Sequence, residues 1–236
     1  EGRRLRHNVA SIIGYLLTGN LAEIILVLAG LLLWPELVVP LYPVHLLWIN
    51  LVLDGIPAIA LGVDRPPGDP LHLRPNRNGL LSWRALRRIG LRALIVAALV
   101  FTVVELVRGM GWDAEHIRSQ AVLTLVFARL TLAYVVRART WTFERGWWRG
   151  RSVGTAVAAT AALQALVTAV PVLGQPLDLV PLPWIGWAMA AGAAVLTVLL
   201  CDLLRPRRAA PPGTPGGTAG GTAGGTNTST TAMIPI

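Results

Sequence analysis

The sequence contains no lysine and a single cysteine, and only 14% of its 236 residues are charged. One cysteine excludes an internal disulfide, so Cys201 is read as a small apolar residue in a helix. Scarce charge together with 54% hydrophobic residues excludes an ordinary soluble domain and is typical of membrane proteins. No cleavable signal peptide is visible, because the segment before the first apolar run is charged and the run itself is long enough to span a bilayer.

Six long apolar runs make up most of the sequence, and each is close to or above the roughly 20 residues that a helix needs to cross a bilayer. We therefore predict an all-α fold, a polytopic membrane helical bundle of six transmembrane helices within residues 1–208. The predicted spans are Val9–Trp34, Val44–Val63, Ile89–Val107, Ser119–Val136, Ser152–Leu173 and Pro183–Leu204. Residues 209–236 are rich in glycine, threonine and proline, cannot bury a core, and are predicted to be disordered.

The arginines are distributed unequally between the two sides of this predicted bundle. Because there is no lysine, arginine supplies all the positive charge behind the formal net charge of +9. Of the 21 arginines, 17 fall before span one, between spans two and three, between spans four and five, or after span six. The positive-inside rule places these segments, and with them both termini, in the cytosol. Arginines that flank apolar spans are an orientation signal, so we expect a lipid bilayer and no nucleic acid as a partner.

Asp54 lies near the middle of the second apolar run, where an ionised carboxylate is costly and rarely occurs without a partner. Asn50 is four residues earlier, on the same face of a helix. Pro57 has no N–H to donate, which frees the carbonyl of Leu53, and with the neighbouring glycine it predicts a helix that is unwound near Asp54–Pro57. Carboxylate, amide and freed carbonyl oxygens suit a hard cation. The alternative is a proline-kinked helix in which Asp54 is only structural.

Spans one and four carry the other polar groups at this depth. Asn20 and Glu23 are three residues apart near the middle of span one, so they share a helix face and supply a second carboxylate. Arg129 lies at the middle of span four, where a charge needs a carboxylate partner or a wet cavity. We therefore predict that Glu23 and Asp54 face one another and that Arg129 reaches into the same site as a compensating charge. The alternative is that Arg129 pairs with Glu23 only to join spans one and four. Glu105, near one end of span three, is expected to be structural.

Segments of the first two spans resemble a known family. They are Glu1–Arg3, Tyr15–Glu23 and Leu46–Ala58, with Asn8 between the first two. Together they are similar to the C-terminal membrane half of type II P-type ATPases, in particular the calcium pumps of the sarcoplasmic reticulum and secretory-pathway kind. The six predicted spans would match the last six of that family. The resemblance is strong through Gly62 and mostly topological after Trp83.

The resemblance implies a cation site at particular positions. The residues that match cation ligands of the family are Asn20, Glu23, Asn50 and Asp54. Two positions depart from the pattern. Leu53 stands where the muscle calcium pumps have a threonine ligand, and Arg129 stands where they have a glutamate ligand. Both losses fall on the same one of two calcium sites, which leaves one site for Ca²⁺ or Mn²⁺ in this chain.

The resemblance also implies which parts of a pump this chain would lack. The family's phosphorylated aspartate lies in an Asp-Lys-Thr-Gly motif, which a chain without lysine does not contain, and there is no glycine-rich phosphate loop. No catalytic or nucleotide-binding residue is therefore predicted, and ATP and Mg²⁺ would act only through N-terminal pump domains on the same gene or a separate chain. We expect the cation-binding part of an ATP-driven pump in a bacterial-type plasma membrane. The alternatives are a free-standing secondary transporter or channel that uses the same carboxylates, and a scaffold that transports nothing.

Overall fold

The structure is a computed structural model, and it describes residues 2–34, 41–64, 82–138, 142 and 151–204. These residues belong to one compact unit, Glu1–Arg205. Across these ranges the backbone forms helices and turns and no strand, which confirms the all-α prediction. Within these described ranges, six helical stretches are long and apolar enough to cross a membrane, as predicted. The predicted tail, residues 209–236, lies outside the described residues.

The described residues form ten helical elements. In chain order they are Gly2–Leu33, Pro43–Trp48, a π-helical turn Ile49–Leu53, Gly55–Val63, Trp83–Gly109, Ala114–Arg137, Arg151–Ala169, Pro171–Gly174, a 3₁₀ turn Gln175–Leu177, and Trp184–Leu203. Span one is the first helix, span two joins the next three elements, and spans three to six are the four remaining long helices. Spans one, three and four begin more than a turn before their apolar runs, because the helices continue into the polar and arginine-bearing flanks.

Span five is shorter than predicted. Its helix ends at Ala169 and does not reach Leu173. The reason is Pro171, which disfavours helical geometry at the residue before it. Val170 accordingly has φ −102° and ψ 108°, and a separate short helix begins at the proline.

Span two is interrupted, but it is not unwound near Asp54–Pro57 as predicted. The interruption lies one turn earlier, in the π turn Ile49–Leu53, where the N–H of Asp54 donates to the carbonyl of Ile49 at 2.8 Å. The α-helix resumes directly at Gly55. A π turn accommodates one extra residue within the helix, so the chain passes the proline without opening into a loop.

Span four forms the centre of the bundle. In its membrane-spanning window 78% of the residues are buried inside the protein, against 33–39% in the other five spans. It contacts all five of them, and Val122, Leu125 and Leu132 are among its fully buried side chains. A charge in such a helix persists only if neighbouring spans complement it. The bundle therefore places Arg129 where side chains of spans one and two can reach it.

Polar contacts tie the spans together at both ends. At the arginine-rich end, Asn8 of span one donates to the carbonyl of Asp64 at 3.0 Å, and Arg137 of span four donates to the carboxylate of Asp64 at 2.6 Å. At the opposite, arginine-poor end, Nε2 of the buried His45 lies 2.6 Å from the carbonyl oxygen of Leu177. The contacts at the arginine-rich end join spans one, two and four at one depth, whereas that of His45 joins span two to the 3₁₀ turn before span six.

Candidate cation site between spans one, two and four

Two buried acids from spans one and two meet at the centre of the bundle. Glu23 and Asp54 are 5% and 2% exposed. Both bind the same guanidinium, because Nη1 of Arg129 donates to Oε1 of Glu23 and Nη2 donates to Oδ2 of Asp54. The planar fork of arginine has donors on both terminal nitrogens, so it can hold one carboxylate on each. The structure thus brings together the two acids and the arginine that the sequence singled out.

Asn20 and Asn50 extend the polar cluster toward its exposed side. Asn50 donates from Nδ2 to Oε2 of Glu23 at 2.9 Å and to the carbonyl of Leu46 at 2.8 Å. Asn20 accepts a longer hydrogen bond of 3.4 Å from Nη2 of Arg129. Both asparagines are exposed whereas both acids are buried, so the cluster is approached from the side of the two amides.

Tyr15 also belongs to the cluster, although sequence analysis did not identify it. Its side chain is 1% exposed, and its hydroxyl donates to Oδ1 of Asp54 at 3.0 Å. With this bond, each carboxylate oxygen of Glu23 and Asp54 has a hydrogen-bonding partner. The available signal was spacing, because Tyr15 lies eight residues before Glu23, close to two helical turns, and so shares its face.

The π turn of span two supplies backbone oxygens beside these side chains. The N–H of Asp54 donates five residues back, to Ile49, and the first N–H after Pro57 donates to the carbonyl of Asp54 itself. Because proline has no N–H, only the N–H groups of residues 55–56 remain for the four carbonyls of residues 50–53. At least two of these carbonyls therefore have no backbone N–H of their own, which at this depth is tolerated where the backbone faces a polar site.

The cluster presents oxygen ligands and a surplus of negative charge. Two carboxylates and one guanidinium sum to a formal charge of −1. Within the described part of the chain, no group of three or more His, Cys, Asp or Glu side chains is placed to hold a metal ion. A bound metal would therefore need amide and backbone carbonyl oxygens in addition to the two acids. Such a mixed oxygen set is the kind that Ca²⁺ prefers.

Glu105, the acid of span three, lies apart from the cluster. Its carboxylate accepts a hydrogen bond from the indole N–H of Trp34 and pairs with Arg108 at 3.0 Å. Both partners lie near the arginine-poor ends of their helices. Glu105 thus contacts the ends of spans one and three and takes no part in the cluster.

Comparison with known proteins agrees with these features. A family model described as "Cation transporting ATPase, C-terminus" matches residues 38–206. The calcium-transporting ATPase of Bacillus subtilis is 31% identical over 215 residues, which cover 88% of this chain and 24% of that protein. Calcium-transporting ATPase 1 of Lactococcus lactis is 29% identical over 209 residues, 86% of this chain and 23% of the relative. A probable calcium-transporting ATPase of Trypanosoma brucei brucei is 45% identical over 78 residues, 33% of this chain and 7% of its own length.

The extent of these matches defines which part of the relatives the chain represents. It spans about a quarter of the length of the two bacterial relatives. The family model covers more than half of the chain, and the six apolar helices form the integral membrane bundle that such a segment requires. The chain belongs to the P-type cation-transporting ATPases and corresponds to their C-terminal transmembrane part.

Proposed function

We propose that this chain is the cation-binding membrane part of an ATP-driven pump and that it binds one Ca²⁺ or Mn²⁺ ion between spans one and two. The observation that carries the proposal is the meeting of Glu23 and Asp54, two buried acids from different spans, at mid-depth beside a π turn. Relatives named as calcium-transporting ATPases support calcium as the cargo.

The proposed ligands are the side chains of Asn20, Glu23, Asn50 and Asp54, with carbonyl oxygens of the π turn. The acids supply charge, and the exposed asparagines lie on the side from which an ion would arrive. Asn50 now donates to Glu23, so an ion would replace that N–H contact with a contact to the amide oxygen. Carboxylate and carbonyl oxygens suit both Ca²⁺ and Mn²⁺.

Arg129 sets how much cation charge the site accepts. Its guanidinium stays protonated and bonds to both acids, so it offsets one of their two negative charges permanently. A remaining charge of −1 favours one divalent ion over two. The guanidinium occupies the space that a second cation would take, and it also keeps an ionic partner beside Glu23 after the ion leaves.

The energy for transport would come from outside this segment. The chain has no lysine and hence no Asp-Lys-Thr-Gly phosphorylation motif. ATP and Mg²⁺ would therefore act on N-terminal domains like those that make up the rest of the bacterial relatives. The arginine-rich end, with both ends of the chain, would face the cytosol, where those domains would dock.

Binding of radioactive Ca²⁺ and competition by Mn²⁺, measured on the purified chain in lipid nanodiscs, tests the site. Glu23→Gln should abolish binding, because it keeps the shape of the side chain and removes its charge. Glu105→Gln is the matched control, since that acid lies outside the cluster, and it should bind like wild type. Equal binding by wild type and Glu23→Gln would refute the proposed site.

A further inference from the structure

Gly19 of span one lies directly against the guanidinium of Arg129. A Cβ atom at Gly19 would fall within 3.0 Å of Nη2, Cζ and Nε of Arg129, closer than real Cβ atoms approach other atoms. Gly14, five residues earlier on the same helix, has no such neighbour, because nothing lies within 4 Å of a Cβ built there. Position 19 therefore has no room for a side chain, whereas position 14 has.

The guanidinium of Arg129 cannot simply move aside to make room. Its terminal nitrogens are each bonded to a carboxylate, of Glu23 and Asp54, and the residue is 1% exposed. Nε of Arg129 is buried and, among the described residues, has no hydrogen-bond partner. The side of the guanidinium that faces Gly19 is therefore held by van der Waals packing and not by a hydrogen bond. A methyl group at Gly19 would displace the guanidinium from at least one of its two carboxylates.

We propose that Gly19 is a positioning residue for Arg129, and that the two residues together set the charge of the cation site. The glycine leaves the space in which the guanidinium lies between both acids. Any side chain at position 19 frees a carboxylate from its positive partner, which raises the affinity of the site for a divalent cation. The step from position to cation affinity rests on the proposed function, whereas the steric coupling between Gly19 and Arg129 does not.

Four variants and wild type, purified in nanodiscs, test the coupling. They are Gly19→Ala, Arg129→Gln, the double variant, and Gly14→Ala as the matched control. Two quantities are measured for each: the melting temperature in EDTA, and the Kd for Ca²⁺ from equilibrium binding of the radioactive ion. Gly-to-Ala alone favours a helix, so any loss specific to position 19 reports on the contact.

We expect Gly19→Ala to lower the melting temperature and to lower the Kd for Ca²⁺, the same direction as Arg129→Gln. The double variant should match Arg129→Gln in both quantities, because no guanidinium is left to displace. Residues in contact commonly couple strongly enough to change a constant by about twofold or more. Gly14→Ala should leave the Kd unchanged.

Additive effects in the double variant would overturn the proposal, as would an equal change of Kd in Gly14→Ala. If Gly19→Ala does not fold, recovery of folding in the double variant supports the proposal and failure to recover overturns it. If no variant binds Ca²⁺ but the melting temperatures still couple, the proposed cation site is wrong while the positioning role of Gly19 stands.

Discussion

Span four carries two buried arginines that make similar contacts in different surroundings. Arg129 and Arg137 are eight residues apart, close to two helical turns, so they face the same direction. Each binds an acid of span two, Asp54 at mid-depth and Asp64 at the arginine-rich end. Arg137 and Asp64 balance one another in charge, and the hydroxyl of Ser152 lies 3.5 Å from the second oxygen of Asp64.

The mid-depth cluster differs in having a second acid. Glu23 adds a negative charge that Arg129 does not offset, and the exposed amides of Asn20 and Asn50 lie beside it. Among the described residues, the ion pair of Arg137 and Asp64 joins one arginine to one acid. The Arg137–Asp64 contact is therefore suited to holding spans two and four together, whereas the mid-depth cluster keeps the formal charge of −1 on which the proposed cation site depends. Under the proposed function, charge balance, more than burial, distinguishes the two contacts.

The largest effect that the comparison predicts is that of Asp54→Asn. In a complete pump containing this segment, Asp54→Asn should abolish the phosphorylation from ATP that depends on the transported cation. The amide keeps the shape of the side chain but removes the charge that a hard divalent ion requires. Asp64→Asn, in the other aspartate of span two, is the control, and its folded fraction should keep ion-dependent phosphorylation. Wild-type ion dependence in Asp54→Asn would show that Asp54 is structural and would remove the contrast.

The second-largest effect is expected when Arg129 or Arg137 is removed, and it should distinguish the mid-depth cluster from the pair of Arg137 and Asp64. Arg137→Gln leaves Asp64 buried without its charge partner and should cost about 3–5 kcal/mol in stability. Arg129→Gln should also destabilise the chain in EDTA, because Glu23 and Asp54 are then left near one another. Added Ca²⁺ or Mn²⁺ should restore the melting temperature of Arg129→Gln, since the ion replaces the lost positive charge, and should not restore that of Arg137→Gln. Equal rescue of both variants would contradict the comparison.

The main features of the bundle and of the mid-depth cluster could be predicted from the sequence. Apolar runs of span length leave few alternatives to membrane helices. The cost of charge at mid-depth then requires that Glu23, Asp54 and Arg129 find one another. These constraints are strong and depend on residue type and depth, which a sequence displays directly.

The remaining features depend on packing and carry no distinctive residue type. Tyr15 in an apolar helix looks like a core aromatic, and Gly19 looks like an ordinary small packing residue. The π turn shifts the hydrogen-bond register by one residue, a change that no side-chain pattern marks. Asp64 lies at the end of an apolar run, where an acid is commonly solvated, and its burial against Arg137 becomes visible only when spans two and four are packed together.

Pro57→Ala tests whether backbone carbonyls of the π turn bind the cation. The N–H gained with alanine can donate to one of the carbonyls of residues 50–53 that has no backbone N–H of its own. This hydrogen bond, with a net contribution of about 1 kcal/mol, would compete with the cation for that oxygen. We therefore expect Ca²⁺ to bind about fivefold more weakly while the melting temperature in EDTA does not fall. Pro43→Ala is the control, because that proline begins the first helix of span two, where the N–H gained with alanine has no helical carbonyl to bind. Unchanged Ca²⁺ binding in Pro57→Ala would exclude the carbonyls as ligands.

The smallest effect is expected where span four begins, at the arginine-poor end. Asp113 is the N-cap of this helix, and its Oδ1 accepts a hydrogen bond of 2.9 Å from the N–H of His116. That backbone bond, with the His116 ring 2.7 Å away, holds the pKa of Asp113 below its ordinary value. Since the pKa is lower in the folded chain, the contribution to stability is present above the ordinary carboxyl pKa and is lost as the pH falls below it.

Asp113→Ala should therefore lower the stability by about 1 kcal/mol near neutral pH, the usual cost of losing an N-cap. Asp113→Asn keeps a capping oxygen, so it should lose less stability than Asp113→Ala and should weaken less than wild type on acidification through the carboxyl range. Melting temperatures across that range measure both effects. The Kd for Ca²⁺ should stay at the wild-type value in each variant, because the cap touches neither Arg129 nor its acids. A changed Kd would mean that the start of span four controls the position of Arg129. It would contradict the distinction between the proposed cation site and the purely structural contacts along this helix.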